Sequence, residues 1–358
     1  MVGLYVHIPF CTGKCPYCDF YSVPFDKETA YSYSRAVIRN VKAYGDCYDT
    51  VYFGGGTPSL MTWEISEILG KISTAANPEV SIEANPGSIA SGDLSTLKNS
   101  GVNRISIGVQ SFLDSELLAL GRKHNCEAAV NAVRLAHDSG FKNISVDLML
   151  GIPNQTVESF KRSIGLLGIL PITHISAYMM KIEPNTRFGK NPPPLPDEDT
   201  VAEIYLTAVE EFEKLGFSQY EVSNFAKPGY ECRHNLKYWR SECYLGIGAG
   251  AHSYYFGERF YVPKDIKDFT TSHTQKTVYM PEYEIGKNTF EDYAMMKLRL
   301  TEGLTFKECA QFGVSKSDIE RRIVNIPPGH IYIDDEKIIL RKKGFLISNS
   351  IIAKIIYD

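Results

Sequence analysis

The chain lacks a long apolar run. Its longest, Ile164 to Ile172, covers nine positions broken by glycine and proline, whereas a bilayer-spanning helix needs ~20. This excludes a transmembrane helix. An excess of one charge is also missing: Lys plus Arg number 38 and Asp plus Glu 42, a net charge of −4 with no long like-charge block. That balance argues against a protein whose main task is to coat nucleic acid or an anionic membrane. The first ten residues hold no basic segment ahead of an apolar one, so no secretory signal is read and a cytoplasmic location is expected. What is present is a 358-residue chain, 44% hydrophobic and 22% charged. At roughly 100–200 residues per domain this suffices for two or three domains with a sizeable core.

Eight cysteines could form disulfides, but a reducing cytosol and the core of a 358-residue chain make such staples unexpected and unnecessary. Their distribution carries the information. Cys11, Cys15 and Cys18 crowd into eight residues, while Cys47, Cys126, Cys232, Cys243 and Cys309 are scattered.

Short apolar, β-branched runs at Gly3–Ile8, Thr50–Phe53, Val80–Ala84, Asn103–Val109, Asn143–Leu150 and His174–Tyr178 read as strands. Helical periodicity fills the gaps at Glu28–Tyr44, Thr62–Ser73, Asp93–Asn99, Glu127–Ser139 and Val157–Leu170. This βα alternation predicts an α/β fold, either a doubly wound sheet or a parallel barrel. Polar or glycine-rich residues follow nearly every strand: Cys11 to Cys18, Gly54-Gly55-Gly56-Thr57-Pro58, Glu83-Ala84-Asn85-Pro86, Gln110-Ser111, and Asp147 within the fifth. Contributions from so many strand ends to one site favour a barrel. Six strands before the proline-rich Asn191 to Pro196 predict an incomplete, (β/α)6-like one, with a further strand near Gln219–Val222.

The domain reading is a barrel over 1–225, a connecting region over 226–284 and a C-terminal module over 285–358. After Ser241 the chain is Tyr-rich and loop-like to about Tyr283. Helices at Thr289–Leu300, Phe306–Phe312 and Lys316–Val324 and a hairpin turning at Asp334 to Lys337 then suggest a winged-helix-like module. From Ile285 to Asp358 there are 12 Lys or Arg against 10 Asp or Glu, too slight a margin for a nucleic-acid footprint.

Cys11, Cys15 and Cys18 form a C-x3-C-x2-C pattern. Three thiolates on one loop can hold three irons of a [4Fe–4S] cluster and leave the fourth open to a non-protein ligand. A zinc site completed by His7, or three reduced structural thiols, are the other readings of the same residues. Leu245 to Gly250 has the outline of a dinucleotide fingerprint but follows no clear strand and lacks the acidic residue about twenty positions on. It is read as a loop without a nicotinamide role. Cys232 to Trp239 contains H-N-x-x-Y-W. An exposed His234 flanked by Tyr238 and Trp239 could ligate haem iron while the aromatics touch the porphyrin. Cys232 and His252 are alternative ligands, and an isolated histidine is more often structural.

The cysteine motif, with Tyr5 to Cys11 ahead of it, Gly54 to Pro58, Gly108 to Phe112 and Asp147 to Pro153, resembles the radical S-adenosylmethionine superfamily and its oxygen-independent coproporphyrinogen III oxidase group. The resemblance runs through essentially the whole chain. It implies a [4Fe–4S] cluster on Cys11, Cys15 and Cys18 and S-adenosylmethionine at the open iron. Tyr5 would then pack beside the cluster and sulfonium, and Gly55, Gly56 and Thr57 would bind the methionyl part. Glu83 and Gln110 would hold the ribose end, with Arg122 and Asp147 completing the polar shell. Taken separately, Gly54 to Gly56 could be a plain turn, Glu83 a capping acid and Arg122 a solvated helix-end charge.

The H-N-x-x-Y-W element is similar to that of the HemW-type haem chaperones, a branch of the same family, and implies haem on His234. The oxidases carry a fourth cysteine two residues after the third, and here that position is Phe20. The expected function is therefore haem binding and delivery to an acceptor protein, with cluster and nucleotide regulating transfer or dimerisation. A homodimer is one expected assembly. The alternative is a radical enzyme that decarboxylates the propionates of coproporphyrinogen III in porphyrin biosynthesis.

Overall fold

The computed structural model describes residues 1–280 and 289–357. All six expected strands form: β1 (Val2–Ile8), β2 (Cys47–Gly55), β3 (Ser73–Ala84), β4 (Arg104–Gln110), β5 (Asn143–Leu150) and β6 (His174–Met179). Each is hydrogen-bonded in parallel to the next. β4 and β5 are buried along almost their whole length, as strands covered on both faces must be. Crossover helices α1 (Lys27–Tyr44), α2 (Thr62–Leu69), α3 (Ser91–Asn99), α4 (Cys126–Asp138), α5 (Val157–Leu167) and α6 (Glu198–Lys214) follow the strands. Several start where the sequence signals a cap. The side chains of Asp26, Asn125, Thr156 and Asp197 each accept an amide three residues on, worth typically ~1 kcal/mol apiece.

The sheet does not close. At the β6 edge the chain doubles back through β7 (Asn224–Ala226), antiparallel to β6, and through the short strand Ser218–Gln219. The extra strand expected near Gln219–Val222 is instead, after Gln219, the turn between these two short strands. At the opposite edge, however, β8 (Tyr244–Ile247) lies parallel to β1 and continues antiparallel into β9 (His252–Tyr255) and β10 (Glu258–Tyr261).

Two expectations are corrected here. Among the described residues, the region after Ser241 carries a sheet extension and a helix at Ile266–Thr271 between its loops, and Leu245 to Gly250 does begin in a strand. The runs are only four residues long, and a glycine inside β8 dilutes its apolar signal. Gly246 is required there, because a Cβ would stand 2.1 Å from the His252 carbonyl oxygen.

The C-terminal module has helices at Phe290–Lys297, Phe306–Ala310 and Lys316–Arg322, a three-stranded antiparallel sheet, and a closing helix at Ser348–Tyr357. Its Phe290, Leu304, Ile338 and Ile352 belong to the same buried apolar cluster as the barrel. The boundary placed at 284/285 lies outside the described residues. Among those described, no helix is long and apolar enough to cross a membrane.

Candidate cluster and nucleotide site

The cysteine loop is pinned at both ends by backbone. Phe10–Cys11 pairs with Val23–Pro24, the Val23 amide donates to the Pro9 carbonyl at 2.7 Å and the Phe25 amide to Cys11 at 2.9 Å. The glycine turn after β2 is sewn to the same segment, since Gly56 donates to Ile8 at 2.8 Å and Thr57 to Phe10 at 2.7 Å. Only glycine fits at position 56, where a Cβ would lie 2.6 Å from the Phe10 carbonyl oxygen. The sequence therefore delivers Cys11 beside Thr57, with Sγ and Oγ1 3.4 Å apart.

Three cations hold carbonyl oxygens of this loop. Lys14 Nζ donates to Phe20 at 2.9 Å, Lys123 Nζ to Thr12 at 3.0 Å and Arg187 to Lys14 at 2.8 Å. A fourth, Arg122, reaches Cys15 Sγ at 3.5 Å, the Tyr17 hydroxyl at 3.3 Å, the Gly108 carbonyl at 2.8 Å and Asn85 Oδ1 at 2.5 Å. Asn85 in turn donates to Thr57 Oγ1 at 2.9 Å. Asn85 thus joins the glycine turn to the arginine, a role not assigned from sequence although its place after β3 was the available signal.

A cavity of about 1250 Å3 opens here, lined among others by Cys15, Cys18, Thr57, Asn85, Arg122 and His124. It is large enough for a cofactor-sized ligand.

Deeper in the barrel, Glu83 accepts the Gly55 amide and the Tyr52 hydroxyl, both at 3.0 Å. Burial, reinforced by the nearby Asp147 carboxylate, pushes its pKa up to about 7. Asp147 accepts from Ser106 at 2.9 Å and is likewise raised, chiefly by burial. Gln110 ends β4 with φ 70°, an uncommon conformation for a side-chain-bearing residue, costing of order 1–3 kcal/mol. That twist carries its amide across Gly108, where a Cβ would meet Nε2 at 2.9 Å and the Arg122 guanidinium at 3.6 Å.

Tyr5 donates its hydroxyl to His7 Nδ1 at 2.9 Å, and His7 Nε2 donates to the Tyr21 carbonyl at 3.1 Å. Burial drives the His7 pKa down to about 4, so the ring is neutral and spends both nitrogens on this link between β1 and the cysteine loop. It has none left for a metal, which overturns the zinc reading that used it. Among the described residues, no three His, Cys, Asp or Glu side chains converge as a single-ion site. The cysteines are instead free thiols spread around a cation-rich loop, a donor set that suits a polynuclear cluster carried by three thiolates.

His234 is elsewhere. It lies on α7 (Arg233–Trp239), which closes the opposite, N-terminal end of the barrel. The Glu79 carboxylate at the base of β3 accepts the amides of His234 at 3.0 Å and Arg233 at 3.1 Å, and the Cys232 thiol at 3.7 Å. Lys237 on the same helix pairs with Asp49 at 3.1 Å. The imidazole expected to be exposed is wholly buried. Its Nδ1 is 2.8 Å from Thr50 Oγ1 and its Nε2 2.8 Å from the Tyr238 hydroxyl, and burial lowers its pKa to about 3. The packing leaves no room for a porphyrin there: even a Cβ on the neighbouring Gly3 would stand 2.8 Å from the Lys237 side chain, 2.9 Å from Thr50 Oγ1 and 3.3 Å from this ring. Cys232 is buried as well, its thiol pushed up to about 12 by burial and by Glu79. Of the three candidate iron ligands, only His252 is exposed.

The glycine loop after β8 packs under the end of β1. The Tyr33 hydroxyl donates to the His7 carbonyl and accepts the Ala249 amide, both at 2.9 Å.

A sequence profile described as the radical SAM superfamily matches residues 5–167. A protein named heme chaperone HemW from Bacillus subtilis is 33% identical over 371 aligned positions, covering 98% of each chain. The HemW of Escherichia coli is 40% identical over 262 positions, covering 70% of this chain and 69% of that one. The chain belongs to the HemW haem-chaperone family.

The HemW-family fold agrees with a solved relative outside the branch. The E. coli coproporphyrinogen III oxidase HemN, a radical SAM enzyme, superimposes with a TM-score of 0.83 over 99% of this chain and 90% of that one at 20% identity. That likeness establishes the fold alone. The superfamily implies a [4Fe–4S] cluster and S-adenosylmethionine, and three free thiols on one cation-lined loop are the donors the first of these needs.

Proposed function

We propose that the protein binds haem and passes it to an acceptor protein, on a scaffold that carries a [4Fe–4S] cluster and S-adenosylmethionine. The observation that carries the reading is full-length similarity to HemW proteins together with Phe20 where the related oxidases have a fourth cysteine. Cys11, Cys15 and Cys18 would hold three irons. Gly55, Gly56 and Thr57 would receive the methionyl part, Tyr5 the cluster side, Glu83 and Gln110 the ribose, and Arg122 and Asp147 the polar shell. The bound cluster supplies one-electron chemistry at the sulfonium.

The protein's own part is electrostatic and steric. Lys14, Lys123, Arg122 and Arg187 place positive charge around a loop that becomes anionic when its thiols ionise, and the His7 bridge holds that loop against β1. Burial raises the pKa of both Glu83 and Asp147, and the Asp147 charge raises that of Glu83 further; a bound cationic group would favour their charged forms. The C-terminal module would dock the acceptor, and cluster and nucleotide would regulate transfer or dimerisation.

The test is anaerobic reconstitution followed by haem titration and assay of 5′-deoxyadenosine with and without coproporphyrinogen III. Stoichiometric haem binding without substrate-dependent product is the expected result. Decarboxylated porphyrinogen would instead make this an oxidase that works without the fourth cysteine, and absence of haem binding would refute the proposal.

A further inference from the structure

The haem reading leaves the iron ligand open, because the buried His234 does not serve. Of the eight histidines, His7, His174 and His234 have both ring nitrogens engaged. His124, His137 and His330 each have one engaged. His252 and His273 are exposed and make no ring-nitrogen hydrogen bond among the described residues. Of these two, among the described residues, only His252 lies against an aromatic ring.

His252 opens β9 and faces Tyr261 across the hairpin, ring centroids 5.4 Å apart and planes 26° from parallel. Stacking of this kind fixes the plane of the imidazole while leaving its nitrogen edge open. An iron–imidazole bond would lie in the ring plane, at right angles to the stacking contact with Tyr261.

The neighbourhood has what such a ligand needs. β8 runs parallel to β1, so the turn from β8 to β9 brings His252 to the cysteine-loop end of the barrel. Gly250, in that turn, has φ 88° and no side chain. A Cβ there would stand 3.4 Å from the Tyr21 ring and 3.5 Å from Lys264 Cγ, so the turn that leads to His252 runs beside an aromatic ring and the stem of a lysine. Phe20, next to Tyr21, is 64% exposed. Lys264 is exposed and suits a propionate carboxylate.

Building on the haem-binding reading, we infer that His252 is the side chain that takes haem iron. The porphyrin then lies against the Tyr21 and Phe20 surface, and a propionate reaches Lys264. Partial burial of the ring and the charge of Lys264 hold its pKa below the ordinary histidine value, which keeps the imidazole in its ligating, neutral form at pH 7. A single exposed ligand on an open face also suits a cargo that must leave. The H-N-x-x-Y-W helix then acts as the floor of the barrel and binds nothing.

The test is titration of the reconstituted full chain with haemin, followed through the Soret band, for the wild type and for His252→Ala, Lys264→Ala and His234→Gln. His252→Ala should lose the histidine-ligated spectrum and at least tenfold in affinity, and Lys264→Ala should lose a few-fold with the spectrum retained. His234→Gln should unfold more easily yet keep wild-type haem binding wherever circular dichroism shows it folded. Wild-type spectrum and affinity in His252→Ala would overturn the assignment while leaving haem binding intact. Folded His234→Gln without the histidine-ligated spectrum would overturn it equally. A wild type that binds no haem at all would sink the broader reading and this one together.

Discussion

Replacing Glu79 by alanine should undock the helix that carries H-N-x-x-Y-W. The carboxylate is 6% exposed and accepts two helix-start amides and a thiol, while the buried Arg104 lies close enough to feel its charge. A hydrogen bond to a charged group contributes about 1.5–3 kcal/mol. Removing one partner of a buried charge pair costs about 3–5 kcal/mol. These effects overlap, so Glu79→Ala should lose about 3–5 kcal/mol in total, a large part of a typical 5–15 kcal/mol stability. At ~2.1 cal/mol/K of unfolding entropy per residue, that corresponds to a fall in Tm of roughly 4–7 °C.

Glu79→Gln keeps the shape and one acceptor oxygen and should lose about 1–3 kcal/mol. Urea unfolding followed by tryptophan emission measures both. Trp239 ends this helix, and the other tryptophan, Trp63, is already exposed, so early undocking appears as a red shift below the main transition. A loss under 1 kcal/mol for Glu79→Ala, or a glutamine variant weaker than the alanine one, would refute the capping argument.

Three further outcomes are expected. Gly56→Ala forces a Cβ to 2.6 Å from the Phe10 carbonyl and 2.9 Å from its amide nitrogen. Since backbone cannot yield cheaply, reconstituted iron per chain should fall several-fold, which a colorimetric iron assay will show. Arg122→Met removes the donor shared by Cys15, Asn85 and Gly108 and should weaken S-adenosylmethionine binding by about tenfold or more, the ~1.4 kcal/mol expected of at least one charge-assisted bond; unchanged affinity by calorimetry would count against the shared-donor geometry.

Glu221→Gln should remove a falling component from the stability–pH curve. Glu221 is buried at the seam with the C-terminal module, where burial raises its pKa from 4.5 to about 7. A raised carboxyl stabilises the folded state below about pH 4.5, and this contribution is lost as pH climbs through about 7, up to ~3 kcal/mol. Thermal melts from pH 5 to 8 should show the wild type's stability relative to the variant shrinking as pH rises, while the buried His7 and His234, with lowered pKa values, add stability toward neutral pH in both proteins. Glu83, raised to about 7 as well, keeps some slope in both, and identical slopes would show that Glu221 does not carry the effect.

The barrel strands were legible because each is a run of apolar, β-branched residues with turn-formers on both sides, and the cysteine spacing stood out against scattered cysteines elsewhere. β8 to β10 were not legible. Four-residue strands rich in Tyr have too few alternations to show a period of two, and pairing with β1 on one side and β9 on the other holds the first of them in the sheet. The cations that hold the cysteine loop were equally hidden, since Lys123 and Arg187 lie more than a hundred residues from the carbonyls they bind. Asn85 and the His7 bridge needed three dimensions for the same reason.

Local pattern by itself determined which segments become strands, where the thiolates sit, and that polar residues follow strand after strand. Those properties depend on side-chain periodicity and on spacing over a few residues, both of which are written in order along the chain. Tertiary structure decided which end of the barrel each motif occupies. His234 and His252 are eighteen residues apart and indistinguishable as imidazoles. Parallel pairing of β8 with β1 sends the chain from the floor to the cysteine-loop end between them, burying the first ring against Thr50 and Tyr238 and leaving the second open to solvent.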